Sequence, residues 1–162
     1  MDDKFYMKAA LKRAKAAYRD GETPIGAVIV KDGVVIATGR NLREKRKNSL
    51  CHAEIIAINR ACRRLGAWRL IDCDLYVTLE PCAMCAGAII NSRIRRVIYG
   101  ASDGKAGSFG SLTDLSAFPY NHKPQITKGV MEEECAALLS DFFKELRILK
   151  KKNKTPKEDN DI

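Results

Sequence analysis

Two short strings, Cys51-His52-Ala53-Glu54 and Pro81-Cys82-Ala83-Met84-Cys85, are separated by 26 residues and place a demanding condition on the fold. One imidazole and two thiols can hold a zinc ion on three ligands, leaving a fourth position for water. Serving one ion requires the two strings to meet, so the chain between them must leave and return. Cys82 and Cys85 are three apart and share one side near a helix start. There the unpaired amides and the positive helix end favour thiolate over thiol. On an ideal helix, residues two apart diverge by about 200°, so His52 and Glu54 cannot serve one centre from regular helix. The spacing therefore predicts His52 at the irregular start of a helix, with Glu54 reaching the water rather than the ion. Three ligands, an open position and an adjacent carboxylate describe a hydrolytic centre, whereas a closed structural site needs four ligands. Two thiolates and an imidazole suit zinc.

Hydrophobic periodicity supplies the elements that carry these strings. Residues 4–18 place Met7, Leu11, Ala14 and Tyr18 on one helical stripe, and Asp20-Gly21 ends it. The β-branched run 25–30 reads as a buried strand, Lys31-Asp32-Gly33 as a tight turn, and 34–38 as its antiparallel return. Residues 39–48 form a basic loop with Arg40, Arg43, Lys45, Arg46 and Lys47, and a second helix covers 52–65. A strand at 75–79 leads to Pro81, which suits the first position of a helix reaching Asn91. A strand at 96–100 then implies a right-handed parallel crossover. The glycine-bearing stretch 101–120 is long for a structureless loop and reads as functional, and 125–127 adds a short strand. Cys135, Leu138, Leu139, Phe142, Phe143, Leu146 and Leu149 mark the last helix. These elements predict one α/β domain, a mixed central sheet of about five strands covered by helices in three layers. The domain spans residues 1–148, and the lysine-rich tail 149–162 is expected to be disordered.

At 162 residues, one domain buries enough surface to need no disulfides. Six scattered cysteines then read as reduced thiols, and no leader or membrane-length apolar run is evident, so the expectation is a cytoplasmic protein. Twenty-nine Lys+Arg against twenty Asp+Glu give a formal charge of +9, which favours a polyanion such as RNA.

His52-Ala53-Glu54 with Pro81-Cys82-Ala83-Met84-Cys85 resembles the zinc-dependent nucleoside deaminases, whose fold is cytidine deaminase-like. Within them the chain is similar to the bacterial tRNA-specific adenosine deaminases. The similar segments are 24–30, 75–82, 86–90, Ser92-Arg93-Ile94, Gly110-Ser111-Leu112, Asn121-His122 and the helix segment 134–143. This resemblance implies hydrolytic deamination of adenosine to inosine at the wobble position of a tRNA anticodon, typically that of an arginine tRNA. It also implies one Zn2+ per subunit, Glu54 as the proton carrier, and a homodimer whose RNA surface uses both copies. By position, Asn41 contacts the target base, Asp103 a neighbouring sugar, and Asn121 and His122 the RNA path. Phe142 and Phe143, or the basic end of their helix, lie beside the anticodon loop. Being adjacent on a helix, one of the two should pack inward while the other is exposed.

Two features depart from many such proteins. Cys51 brings a third thiol near the centre and reads as a bystander under the helix, and Ser102 stands where some relatives have arginine. Two other readings share parts of the pattern. A guanine, cytosine or free-nucleoside deaminase would use the same metal chemistry, and a noncatalytic RNA-binding module would hold zinc structurally. The basic charge and the last helix argue against the first, while the missing fourth ligand and Glu54 argue against the second.

Overall fold

A computed structural model describes residues 1–154. Strands β1 (Gly26–Lys31), β2 (Val34–Arg40), β3 (Cys73–Leu79), β4 (Arg96–Ala101) and β5 (Gln125–Thr127) form one sheet in the order β2-β1-β3-β4-β5. β1 is antiparallel to both neighbours, whereas β3, β4 and β5 are parallel. The sheet is therefore mixed, and its parallel half is built by crossover helices.

Alternation along the strands assigns the two faces. Ala27, Ile29, Leu75, Val77 and Val97 join Ala53, Ala57 and Ala61 of α3 (Ala53–Leu65) and Ala86 and Ile89 of α4 (Ala83–Asn91). Val28, Val30, Tyr76 and Ile98 face the opposite way. They pack on Met7, Ala10 and Leu11 of α1 (Asp3–Arg19) and on Cys135 of α5 (Glu132–Lys152). Helices on both faces make three layers in one α/β domain, as the sequence predicted.

Two glycines let helices come unusually close. A Cβ on Gly26 would stand 2.1 Å from the Ala10 carbonyl oxygen, and one on Gly39 would stand 2.1 Å from that of Ala53. Gly39 thus allows the first turn of α3 to rest directly on β2. His52 precedes that turn, so this approach helps to place it.

The observed boundaries revise several expectations. The basic loop contains a four-residue helix, α2 (Arg43–Arg46), closed by Lys47 in the left-handed region. Pro81 lies before the N-cap of α4, which is Cys82, rather than at the first helical position. The 101–120 stretch is organised by turns, a bridge between Phe109 and Asp114, and a 3-10 turn at Leu115–Ala117. α5 continues to Lys152, so the first residues assigned to the tail are helical. The expectation of disorder for 155–162 lies outside the described residues.

Candidate metal centre

The N-termini of α3 and α4 both open at the C-terminal end of β3; His52 and Cys82 occupy their N-caps, and Cys85 follows in the first turn of α4. His52 caps α3 with extended backbone (φ −74°, ψ 153°) and Cys82 caps α4 likewise (φ −73°, ψ 175°). The irregular start that His52 and Glu54 required is therefore present. Cys82 Sγ and Cys85 Sγ each lie 3.6 Å from His52 Nδ1, and all three ligand atoms fall within 4.8 Å of one another. Bonds of about 2.0 Å to nitrogen and about 2.3 Å to sulfur at the tetrahedral angle set nitrogen and sulfur about 3.5 Å apart. The donor set and its spacing fit zinc, and no fourth ligand joins the cluster among the described residues. Cys51 instead packs with Leu42 and Ile56 in a small apolar group.

The protons are distributed unevenly. Hydrogen bonding from the Cys85 thiol, reinforced by the His52 ring, draws Cys82 down to about 4 although burial opposes it. Cys85 is pushed well up by the Cys82 thiolate and by burial, and His52 is raised by the same thiolate. These are the protons a metal ion displaces when it takes the three atoms. Glu54 is 4% exposed, and burial pushes its carboxyl up to about 7, with the neighbouring Cys82 adding to the rise and His52 opposing it.

One cavity adjoins the cluster, and a second shares part of its lining. A small one of about 70 Å³ is lined by Thr23, Ile25, Asn41, Arg43, His52 and Ala53. A second of about 510 Å³ shares Thr23 and Arg43, and is completed by Asp103, Lys105, Leu139 and Phe143 among others. Asp103 and Phe143 thus share one groove, whereas Asn41 lines the small cavity with His52, the two being joined through Thr23 and Arg43. Asn41 Oδ1 accepts the Arg43 N–H at 3.0 Å, which leaves the amide nitrogen as its donor. Asp103 Oδ1 accepts from Lys105 N and Ala106 N, so one oxygen shapes a turn, and among the described residues the other accepts no hydrogen bond. Ser102 also lines the larger cavity. Phe142 does not reach the groove: it is buried, and its ring meets Tyr18 at 5.5 Å. Asn121 and His122 lie elsewhere. His122 Nε2 is 2.6 Å from the carbonyl of Ile94, beyond the C-terminal end of α4, the end opposite Cys82.

Sequence reading missed the carboxylate that organises one wall of this groove. Glu80, 2% exposed, accepts N–H groups from Asp103, Phe109 and Ser111 and the Ser111 hydroxyl. Burial pushes its carboxyl upward, but these donors outweigh that effect and hold it below its ordinary value. The one available signal was an acid next to the Pro-Cys ligand string.

The family model for MafB19-like deaminases matches residues 1–147. A tRNA-specific adenosine deaminase of Bacillus subtilis is 51% identical over 150 residues, covering 92% of this chain and 93% of that protein. One from Rickettsia bellii is 47% identical over 144 residues, covering 87% and 99%. The chain belongs to the tRNA-specific adenosine deaminase family. This deaminase also matches a solved structure from a study of A-to-I editing by tRNA:A34 deaminases, with TM-score 0.80, 46% identity, and coverage of 83% and 99%. A Bacillus subtilis guanine deaminase shares the fold at TM-score 0.63 and 32% identity, covering 98% and 99%.

Proposed function

We propose that this deaminase converts adenosine to inosine at the wobble position of a tRNA anticodon, an arginine tRNA being the expected substrate. The observation that carries the reading is Glu54, a buried carboxyl held near neutrality beside three zinc-spaced ligand atoms. His52, Cys82 and Cys85 are assigned as the ligands of one zinc ion per chain. When bound there, zinc supplies a Lewis acid that lowers the pKa of water. Glu54 takes the water proton and delivers it first to the purine ring nitrogen beside the reacting carbon, then to the departing ammonia. A carboxyl near pH 7 is matched to both transfers. Asn41 donates to the flipped base from the small cavity, and Asp103 and Phe143 hold flanking nucleotide in the larger one. Asn121 and His122 are assigned to RNA farther from the reacting base. Among the described residues no helix is long and apolar enough to cross a membrane. A cytoplasmic homodimer completes the reading.

The guanine deaminase neighbours define the competing substrate class. The groove favours RNA, since Arg43 and Lys105 supply cations and Phe143 is 42% exposed as a stacking surface. The test is incubation of zinc-loaded protein with an arginine-tRNA anticodon stem-loop carrying adenosine-34, followed by inosine detection. We expect conversion of the RNA with little turnover of free adenosine or guanine. Equal turnover of the free compounds would remove tRNA from the proposal.

A further inference from the structure

The basic loop leans on one residue that the reaction itself does not use. Glu22 is 1% exposed, and its carboxylate meets backbone amides: Oε2 accepts Glu44 N–H at 3.1 Å and Oε1 accepts Lys45 N–H at 2.6 Å. With Asn41 accepting from Arg43, three of the unpaired amides at the start of α2 are satisfied by side chains. A helix of four residues has no stability of its own, and residues 43–50 are all exposed. The position of α2 is therefore dictated from outside. A second grip comes from the same connector, where Asp20 pairs with Arg40 at 2.8 Å. At its other end the loop is pinned beside the ligand by the Leu42 N–H, which donates to the Cys51 carbonyl at 3.0 Å.

This arrangement has a consequence for substrate. Arg43 lines both cavities, so α2 forms their shared wall. Lys45, Arg46 and Lys47 stand exposed on the same segment. We infer that Glu22 is a positioning residue for the RNA, fixing the backbone of α2 so that Arg43 stays on the groove wall and the neighbouring cations meet the phosphate chain. The inference rests on the RNA reading given above. Glutamine at this position keeps one acceptor oxygen but turns an N–H2 group toward the second amide, donor against donor. Glu22→Gln thus frees one side of α2 without altering the shape of the side chain.

The experiment compares four zinc-loaded proteins on an anticodon stem-loop across a salt series. They are the unaltered chain, Glu22→Gln, the triple variant Arg43→Ala/Lys45→Ala/Arg46→Ala, and the two combined. We expect Glu22→Gln to raise KM about tenfold while kcat stays within about twofold, the pattern of lost positioning for charge contacts. Its salt slope should flatten by about 0.7 for each phosphate contact released. Zinc content should remain one per chain. In the triple background Glu22→Gln should change KM no further, although its loss of melting temperature persists. A Glu22→Gln enzyme with unchanged KM and salt slope would overturn the inference while leaving the function intact. So would an equal KM penalty in the triple background, the mark of a purely structural residue. An unaltered chain that makes no inosine would overturn both readings. Should Glu22→Gln fail to accumulate folded, Glu22→Asp, which keeps the charge but withdraws it from both amides, decides by the same comparison.

Discussion

Glu54 and Glu80 are both buried carboxyls, and their neighbours drive them in opposite directions. Glu54 is pushed up by burial, whereas Glu80 is held down by amide and hydroxyl donors that outweigh burial. One can move protons near neutral pH, and the other is a fixed anion around which a loop folds. Glu54→Gln should therefore keep one zinc per chain, measured by metal analysis, while inosine formation drops by at least about 10²-fold. Loss of zinc from that variant would contradict the separation of ligand and proton carrier. Tyr76 gives a second test at this scale. It is 2% exposed, and burial, with its O–H donating to Asp3 at 2.7 Å, raises its phenol above the ordinary value. A phenol raised in the folded state contributes stability fully present below the unfolded value of about 10, and lost as pH climbs through the folded value. Tyr76→Phe should thus be less stable by about 1 kcal/mol near pH 7. Melting curves from about pH 9 to 11 should show a shallower alkaline decline for the variant than for the unaltered protein.

Periodicity located every long element, because an amphipathic stripe depends only on neighbours along the chain. It could not place the boundaries set by contacts from afar. α2 was invisible because its N-terminus is completed by Glu22 across the fold. The helical stripe of α5 was legible, yet the sheet uses only its first half. Cys135 and Phe142 are buried, while Phe143, Ile148 and Leu149 are exposed. Close approach between elements yields a sharp prediction. A Cβ on Gly39 meets backbone atoms of α3, the Ala53 oxygen at 2.1 Å and the Ala57 nitrogen at 2.8 Å, so no side-chain rotation can relieve it. Gly39→Ala should cost about 1–3 kcal/mol and weaken zinc retention in a chelator competition, because the turn beside His52 must shift. Gly87→Ala is the control, since nothing lies within 4 Å of its Cβ position.

At the scale of the molecule, metal and fold should support each other, because the ligands come from two helix starts that β3 separates in sequence. A group that binds only the folded chain stabilises it by mass action. Stripping zinc with a chelator should lower the melting temperature by several degrees for a domain of this size. Restoring zinc should return both stability and deamination, and a melting temperature indifferent to zinc would show that the ion does not join α3 to α4. The chain's own pattern determined the helices and strands and the mixed α/β class, and it singled out His52, Cys82, Cys85 and Glu54 as the proposed ligands and proton carrier. Each of these follows from residue type and short-range spacing. Only the tertiary structure decided that Asn41 lines a cavity with His52 while Asp103 and Phe143 line the adjoining groove, that Phe142 turns inward, and that His122 sits at the far end of α4. It alone revealed Glu22 and Glu80 as the holders of the groove's walls. A buried carboxylate declares its role through the amides that surround it, and those amides lie more than 20 residues away along the chain.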